Sequence, residues 1–232
     1  MSDALEKILG IKQLPLFPLP LVLMPNEVLP LHIFEPRYRQ MLKDIELRKN
    51  LFGITLFEQE GTILDRPKPG TVGCAAEVRE TSTLPDGRSN ILAAGVIRYR
   101  LGDYVETGDP YFVGEVEFFE DDPDDDSVVQ PLADDVFDLF ERIAKAAFKL
   151  SGSRGSFPEI PKTPPEQLSF LVTAAFNLDN DIKYKMIEMT STRERLTKLR
   201  SILQQAVGRM EDDANTVKAA QSNGHAKKDI DL

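Results

Sequence analysis

The sequence predicts an α+β protein: a small β-barrel with one inserted helix, followed by a C-terminal helical bundle. Three observations predict it. Apolar residues recur at every second position through the first half of the chain. They recur at helical spacing through the second half. Between the halves, Glu120 to Asp126 places six acids in seven positions. Such a run repels itself and reads as a solvated loop. The expected organisation is a barrel subdomain over residues 1–122, a bundle over 123–207 and a disordered polar tail over 208–232.

The barrel strands follow from alternation. Phe52, Ile54 and Leu56 alternate with Gly53 and Thr55; Val72, Cys74, Ala76 and Val78 alternate with Gly73, Ala75, Glu77 and Arg79. Ile97, Tyr99 and Leu101 alternate with Arg98 and Arg100, and Phe112, Gly114, Val116 and Phe118 form a further set. These read as half-buried strands. Leu84-Pro85-Asp86-Gly87 is a turn between two of them, with proline presetting one torsion and glycine accepting positive φ. Short strands with turn signals suggest closure, or near closure, into a barrel. The inserted helix is marked by Tyr38, Met41, Leu42 and Ile45 at i, i+3, i+4 and i+7, behind Pro36.

The bundle is read in the same way. Val136, Phe140, Ile143, Ala147 and Leu150 line one face. A Gly/Ser/Pro-rich break follows from Ser151 to Pro165, and then Leu168, Leu171, Val172 and Ala175. Ile182, Met186 and Met189 come next. Ser191-Thr192-Arg193-Glu194 has capping-box spacing ahead of the stripe Leu196, Leu199, Leu203 and Ala206. About four helices are expected.

Composition narrows the function. The 232 residues are 41% hydrophobic and 28% charged, with a formal net charge of -10. That balance argues against indiscriminate nucleic-acid binding. No apolar run reaches the roughly 20 residues that span a bilayer, and the N-terminus lacks the pattern of a secretory signal. One cysteine fits a reducing cytoplasm and excludes zinc sites built on cysteine pairs. No phosphate-cradling loop and no G-x-S-x-G elbow occurs. Of the two histidines, His225 falls in the expected tail, and His32 reads as a core or edge residue of an apolar strand. Cys74, in the apolar phase of its strand, reads as a small core residue. No catalytic residue, metal site or cofactor is expected.

Leu14 to Leu42, LPLFPLPLVLMPNEVLPLHIFEPRYRQML, carries six prolines by Pro36. Proline cannot donate to a ladder, so this stretch is expected along edges and in turns. Here the sequence resembles a known family, the N-terminal substrate-binding domain of the Lon ATP-dependent protease. Thr71 to Val78, Leu84 to Arg88, Ala94 to Leu101 and Pro110 to Val116 look like that domain's later strands. Met186-Ile187-Glu188 and Arg195-Leu196 look like its helices, so the likeness spans Gln13 to Leu203.

The resemblance implies a PUA-like barrel before the bundle. It also implies a role in capturing unfolded or specific polypeptides. In full-length Lon an ATPase module and a serine–lysine protease module follow. Neither has counterpart residues here, so a stand-alone, non-catalytic adaptor, chaperone-like factor or regulator is expected.

Phe34, Glu35, Arg37 and Tyr38 are the candidate substrate-binding residues. The structural reading of Glu35, Arg37, Tyr38 and Arg39 stands beside that one: an acid at a helix N-terminus, a buried tyrosine, and arginines tying helix to barrel. Two other functions stay open. An RNA or nucleotide binder needs a cationic face such as Arg88 with Arg98 and Arg100. A small-molecule sensor needs a polar cleft between barrel and bundle.

Overall fold

The computed structural model describes residues 3–57, 66–151 and 156–223. Its elements run α1 (Asp3–Ile8), β1 (Gln13–Leu19), β2 (Val28–Ile33), α2 (Pro36–Glu46), β3 (Leu51–Leu56), β4 (Val72–Thr83), β5 (Ser89–Tyr104), β6 (Phe112–Phe119), α3 (Asp126–Leu150), α4 (Pro165–Ala175), α5 (Asn180–Glu188) and α6 (Thr192–Asn223). The protein is thus mixed α+β, with the strands first and the longer helices last.

The strand order is β2-β5-β4-β3-β1-β6, and β6 also pairs back onto β5. The pairings therefore form a closed ring of β5, β4, β3, β1 and β6, with β2 outside it. The length of β5 makes this possible. Residues Ser89 to Ala94 pair with β2, whereas Arg98 to Tyr104 pair with β6. Leu84 to Gly87 forms the β4–β5 turn: the Gly87 N–H donates to the Leu84 carbonyl at 2.9 Å, and Gly87 has φ 80°.

Alternation predicts half-buried strands, but β3 and the first half of β4 are buried on both faces. Inside the ring, Leu14, Leu16, Leu51, Ala75, Ile97, Tyr99 and Leu101 form one buried cluster, closed by Ile8 of α1. On the outside, Phe17, Phe52, Ile54, Cys74 and Ala76 join Tyr38, Met41 and Ile45 of α2 and the apolar faces of the bundle. Small residues such as Gly53 and Gly73 pass for solvent-facing positions in the pattern. They are small because the Tyr99 ring fills the space. A Cβ on Gly53 would lie 2.5 Å from the Tyr99 hydroxyl oxygen.

The prolines of β1 also depart from expectation. β1 is flanked by two strands, yet only one side is occupied over most of its length. β6 covers Gln13 to Leu16 and β3 covers Leu16 to Leu19. Pro15 and Pro18 each fall where one side is empty, so neither removes a ladder bond.

The acidic run is the largest correction. It is no simple solvated loop, because several of its carboxylates are bonded into the fold. Asp125 accepts from the Ser127 N–H at 2.9 Å in the first turn of α3. Asp124 accepts from the Arg193 N–H at 2.9 Å in the first turn of α6. Ser191 accepts from the Glu194 N–H at 3.2 Å, the N-cap half of a capping box.

Asp121 goes further. Its side chain is 7% exposed, and it lies between Arg98 of β5 and Arg195 of α6, which are 1% and 0% exposed. Arg98 reaches it at 2.6 Å; Arg195 holds it through both carboxylate oxygens, at 3.0 and 2.5 Å. The remaining guanidinium donors go to the Ile187 and Met189 carbonyls and the Ser169 hydroxyl, with Thr192 also donating to Asp121. Burial pulls the Arg98 pKa below its ordinary value, and Asp121 acts against that pull. The sheet, the β6–α3 connection, α4, the end of α5 and α6 thus meet at one carboxylate.

At its C-terminal end α6 also departs from expectation. It continues through Gly208 to Asn223, past the point where the apolar stripe ends. Propagating a formed helix costs little, and one glycine subtracts only about 1 kcal/mol. Residues 224–232, including His225, lie outside the described residues.

Asp121→Asn leaves two buried guanidinium groups without their counter-charge. It is expected to lower the unfolding free energy by about 3–5 kcal/mol in urea titration. Asp122→Asn, at an exposed neighbour, is expected to cost under about 1 kcal/mol.

Candidate functional site

The four residues singled out in the sequence follow one another at the exit of β2. Phe34 is 59% exposed. Its ring stacks on His32, with centroids 6.1 Å apart. His32 is itself exposed and pairs through Nδ1 with Asn90 Oδ1 at 2.7 Å across the strand pair. Alternation in β2 puts Val28, Pro30 and His32 on the solvent face and turns Leu29, Leu31 and Ile33 inward. Val28 is 56% exposed, so an apolar stripe runs along this strand to Phe34.

Glu35, Arg37 and Tyr38, which follow Phe34 in the chain, are tied to one another. Glu35 occupies the N-cap position of α2 but makes no side-chain cap. Its carboxylate accepts instead from Arg37 Nε at 2.9 Å and Nη2 at 2.8 Å. The Arg37 guanidinium lies 4.6 Å from the Tyr38 ring centroid. Tyr38 is buried against Phe17, with centroids 4.0 Å apart, and burial raises its pKa. Of the four, Phe34 presents the large apolar surface.

Arg88, Arg98 and Arg100 do not form one solvent-exposed arginine face, because Arg98 is withdrawn from the surface. Arg98 is buried on Asp121; Arg88 is tied to Asp86 at 2.6 Å in the turn; Arg100 donates to the Gly70 carbonyl at 3.1 Å. Period-two reading places Arg98 towards solvent, but residues far along the chain bring the bundle over that face. The cleft between sheet and bundle does exist, with a volume of about 320 Å³ and Lys7, Arg98, Phe119 and Phe170 in its walls. Two of its cations are already engaged, Lys7 with Glu77 at 3.1 Å and Arg98 with Asp121. Among the described residues, no group of three or more His, Cys, Asp and Glu is placed to hold a metal, and no helix is long and apolar enough to cross a membrane.

Comparison with known proteins accounts for this architecture. Residues 13–205 match the family described as the ATP-dependent protease La (LON) substrate-binding domain. The chain belongs to this family.

Among relatives, Lon protease of Brevibacillus choshinensis is 26% identical over 199 residues, covering 84% of this chain and 25% of that protein. Lon protease of Parabacteroides distasonis is 30% identical over 124 residues, covering 52% of this chain and 14% of its own. The chain thus spans about a quarter or less of the length of these curated relatives. Two solved structures share the Lon N-terminal fold. A Lon N-terminal domain protein from Xanthomonas campestris has a TM-score of 0.60 and 22% identity over 82% of this chain and 98% of its own. The N-terminal domain of Mycobacterium avium complex Lon protease also has a TM-score of 0.60, with 16% identity over 83% of this chain and 98% of its own.

The remaining nucleophile candidate in this Lon-family chain is Cys74. It is 1% exposed, and burial pushes its thiol up to about 12. An unfolded thiol ionises near about 8.5. The folded pKa is raised, so the stabilisation is fully present below about pH 8.5 and is lost as pH climbs towards 12. Above pH 9 the wild type is expected to lose stability more steeply than Cys74→Ala, by up to about 1.4 kcal/mol per pH unit in urea titrations. At pH 8 a thiol-alkylating reagent is expected to label Cys74 only after denaturation.

Proposed function

We propose that this chain is a non-catalytic polypeptide-recognition module, acting in the cytoplasm as an adaptor, chaperone-like factor or regulator. The observation that carries the reading is the solvent-facing stripe of Val28, Pro30, His32 and Phe34, on a chain whose family is described as a substrate-binding domain. A further part of the reading is that the closed ring of strands is a PUA-like barrel with α2 as its inserted helix. Phe34 is the anchor, and Glu35, Arg37 and Tyr38 hold its backbone in place. An aromatic ring with little else to do in the fold can bury most of its area against an apolar segment of a partner. Unfolded chains expose such segments, and folded proteins hide them.

Phe34→Ser and Val28→Thr tests this in a chain whose core is untouched. Binding of a fluorescently labelled, permanently unfolded polypeptide is expected to weaken about tenfold or more, with the urea midpoint unchanged. Equal binding by the variant and the wild type would rule out this surface.

A further inference from the structure

The sheet has two open edges beside its exposed end, and they differ in what they offer. On β2, the Gly95 N–H donates to the Glu27 carbonyl at 2.9 Å. Antiparallel alternation then directs the backbone groups of Val28, Pro30 and His32 outward. Pro30 has no N–H, so a ladder on that edge is interrupted at its centre.

The other edge has no such guard. β4 pairs with β3 only as far as Glu77, and from Glu80 to Thr83 its strand partner is β5. The Leu84 N–H donates to the Arg88 carbonyl at 2.7 Å. The same alternation turns the N–H and C=O of Thr81 and Thr83 away from β5.

A groove of about 480 Å³ lies alongside this edge, with α2 as its other wall. Thr81 and Thr83 line one side; Arg39, Leu42, Lys43 and Glu46 line the other. Among the described residues neither Arg39 nor Lys43 has a carboxylate in salt-bridge range. The Gly87 turn holds Arg39 close: a Cβ at Gly87 would lie 2.1 Å from Arg39 Nη2.

We propose that this groove takes an extended polypeptide segment bearing Asp or Glu, which adds a strand to β4 through Thr81 and Thr83 and sets its carboxylates against Arg39 and Lys43. The backbone ladder supplies affinity independent of sequence, and the two cations supply selection by charge. Alternate residues of an extended segment lie about 6.8 Å apart. Arg39 and Lys43 lie about 6 Å apart along α2. Acids at alternate positions suit both spacings. The proposal rests on the polypeptide-recognition reading and adds to it an edge and a class of sequence.

The test uses fluorescence anisotropy with a peptide alternating Asp or Glu with valine, and the same peptide with lysine at the acid positions. Each is titrated with the full chain, with Thr81→Pro, and with the double variant Arg39→Glu and Lys43→Glu. Thr81→Pro removes an outward N–H and leaves the β4–β5 ladder whole; circular dichroism and urea midpoints check folding. An acidic peptide N-methylated at the amides facing β4 makes the same test on the unaltered chain.

The acidic peptide is expected to bind and the lysine peptide not to bind. Each variant, and N-methylation, is expected to weaken binding about tenfold or more. About 0.5 M salt is expected to weaken it as well. Equal binding of the two peptides, no binding of the acidic one, or binding that survives both variants would overturn the proposal. Unfolded polypeptide that binds the wild type and weakens with Phe34→Ser, together with no binding of the acidic peptide, would overturn the groove alone. No binding of any polypeptide would overturn the recognition reading with it.

Discussion

A single buried carboxylate decides how the helical half sits on the strands. Asp121 meets Arg98 from the sheet and Arg195 from α6, and the spare donors of both guanidiniums are taken up by Ile187, Met189 and Ser169. Burying three charges is costly, and a well-packed apolar trio of the same volume could be as stable. What the trio supplies is direction. Apolar faces slide past one another at small cost, whereas a bidentate arginine accepts a carboxylate in few orientations. The rings of Phe119 and Phe170 complete the enclosure, with Arg98 4.5 Å from the first centroid and Arg195 4.1 Å from the second.

The neighbouring acids serve the same joint. Asp124 and Asp125 bond into the first turns of α6 and α3 on either side of Asp121, so one short segment starts two helices and fastens them to the sheet. The bundle meets β5 at Arg98, while Val28 and Phe34 stay exposed and Thr81 and Thr83 of β4 lie along a groove walled by α2.

Much of this was legible in the sequence. Alternation marked β3 to β6, the Leu84 to Gly87 turn lies where proline and glycine demanded it, and Ser191 begins α6 as its spacing implied. What was not legible depends on distant partners. Gly53 and Gly73 look like surface positions until Tyr99 is known to fill the space beside them. Asp121 looks like one of six equal acids until two arginines, 23 and 74 residues away, converge on it. α1 is little more than a turn long, too short for periodicity to speak. The exposed Phe34 was legible as a candidate, but its separation from the mutually tied Glu35, Arg37 and Tyr38 needed coordinates. Thr81 and Thr83 carried no signal, since an open edge depends on where the neighbouring strand stops.

If the Asp121 trio fastens sheet and bundle into one cooperative body, both halves must open together. Native-state amide hydrogen exchange reads this directly. The slowest amides of β5 and β6 are predicted to exchange with the same opening free energy as those of α4 and α6, and that shared value is predicted to match global unfolding. Exchange from α4 and α6 at a distinctly lower free energy, with the sheet still closed, would contradict the account.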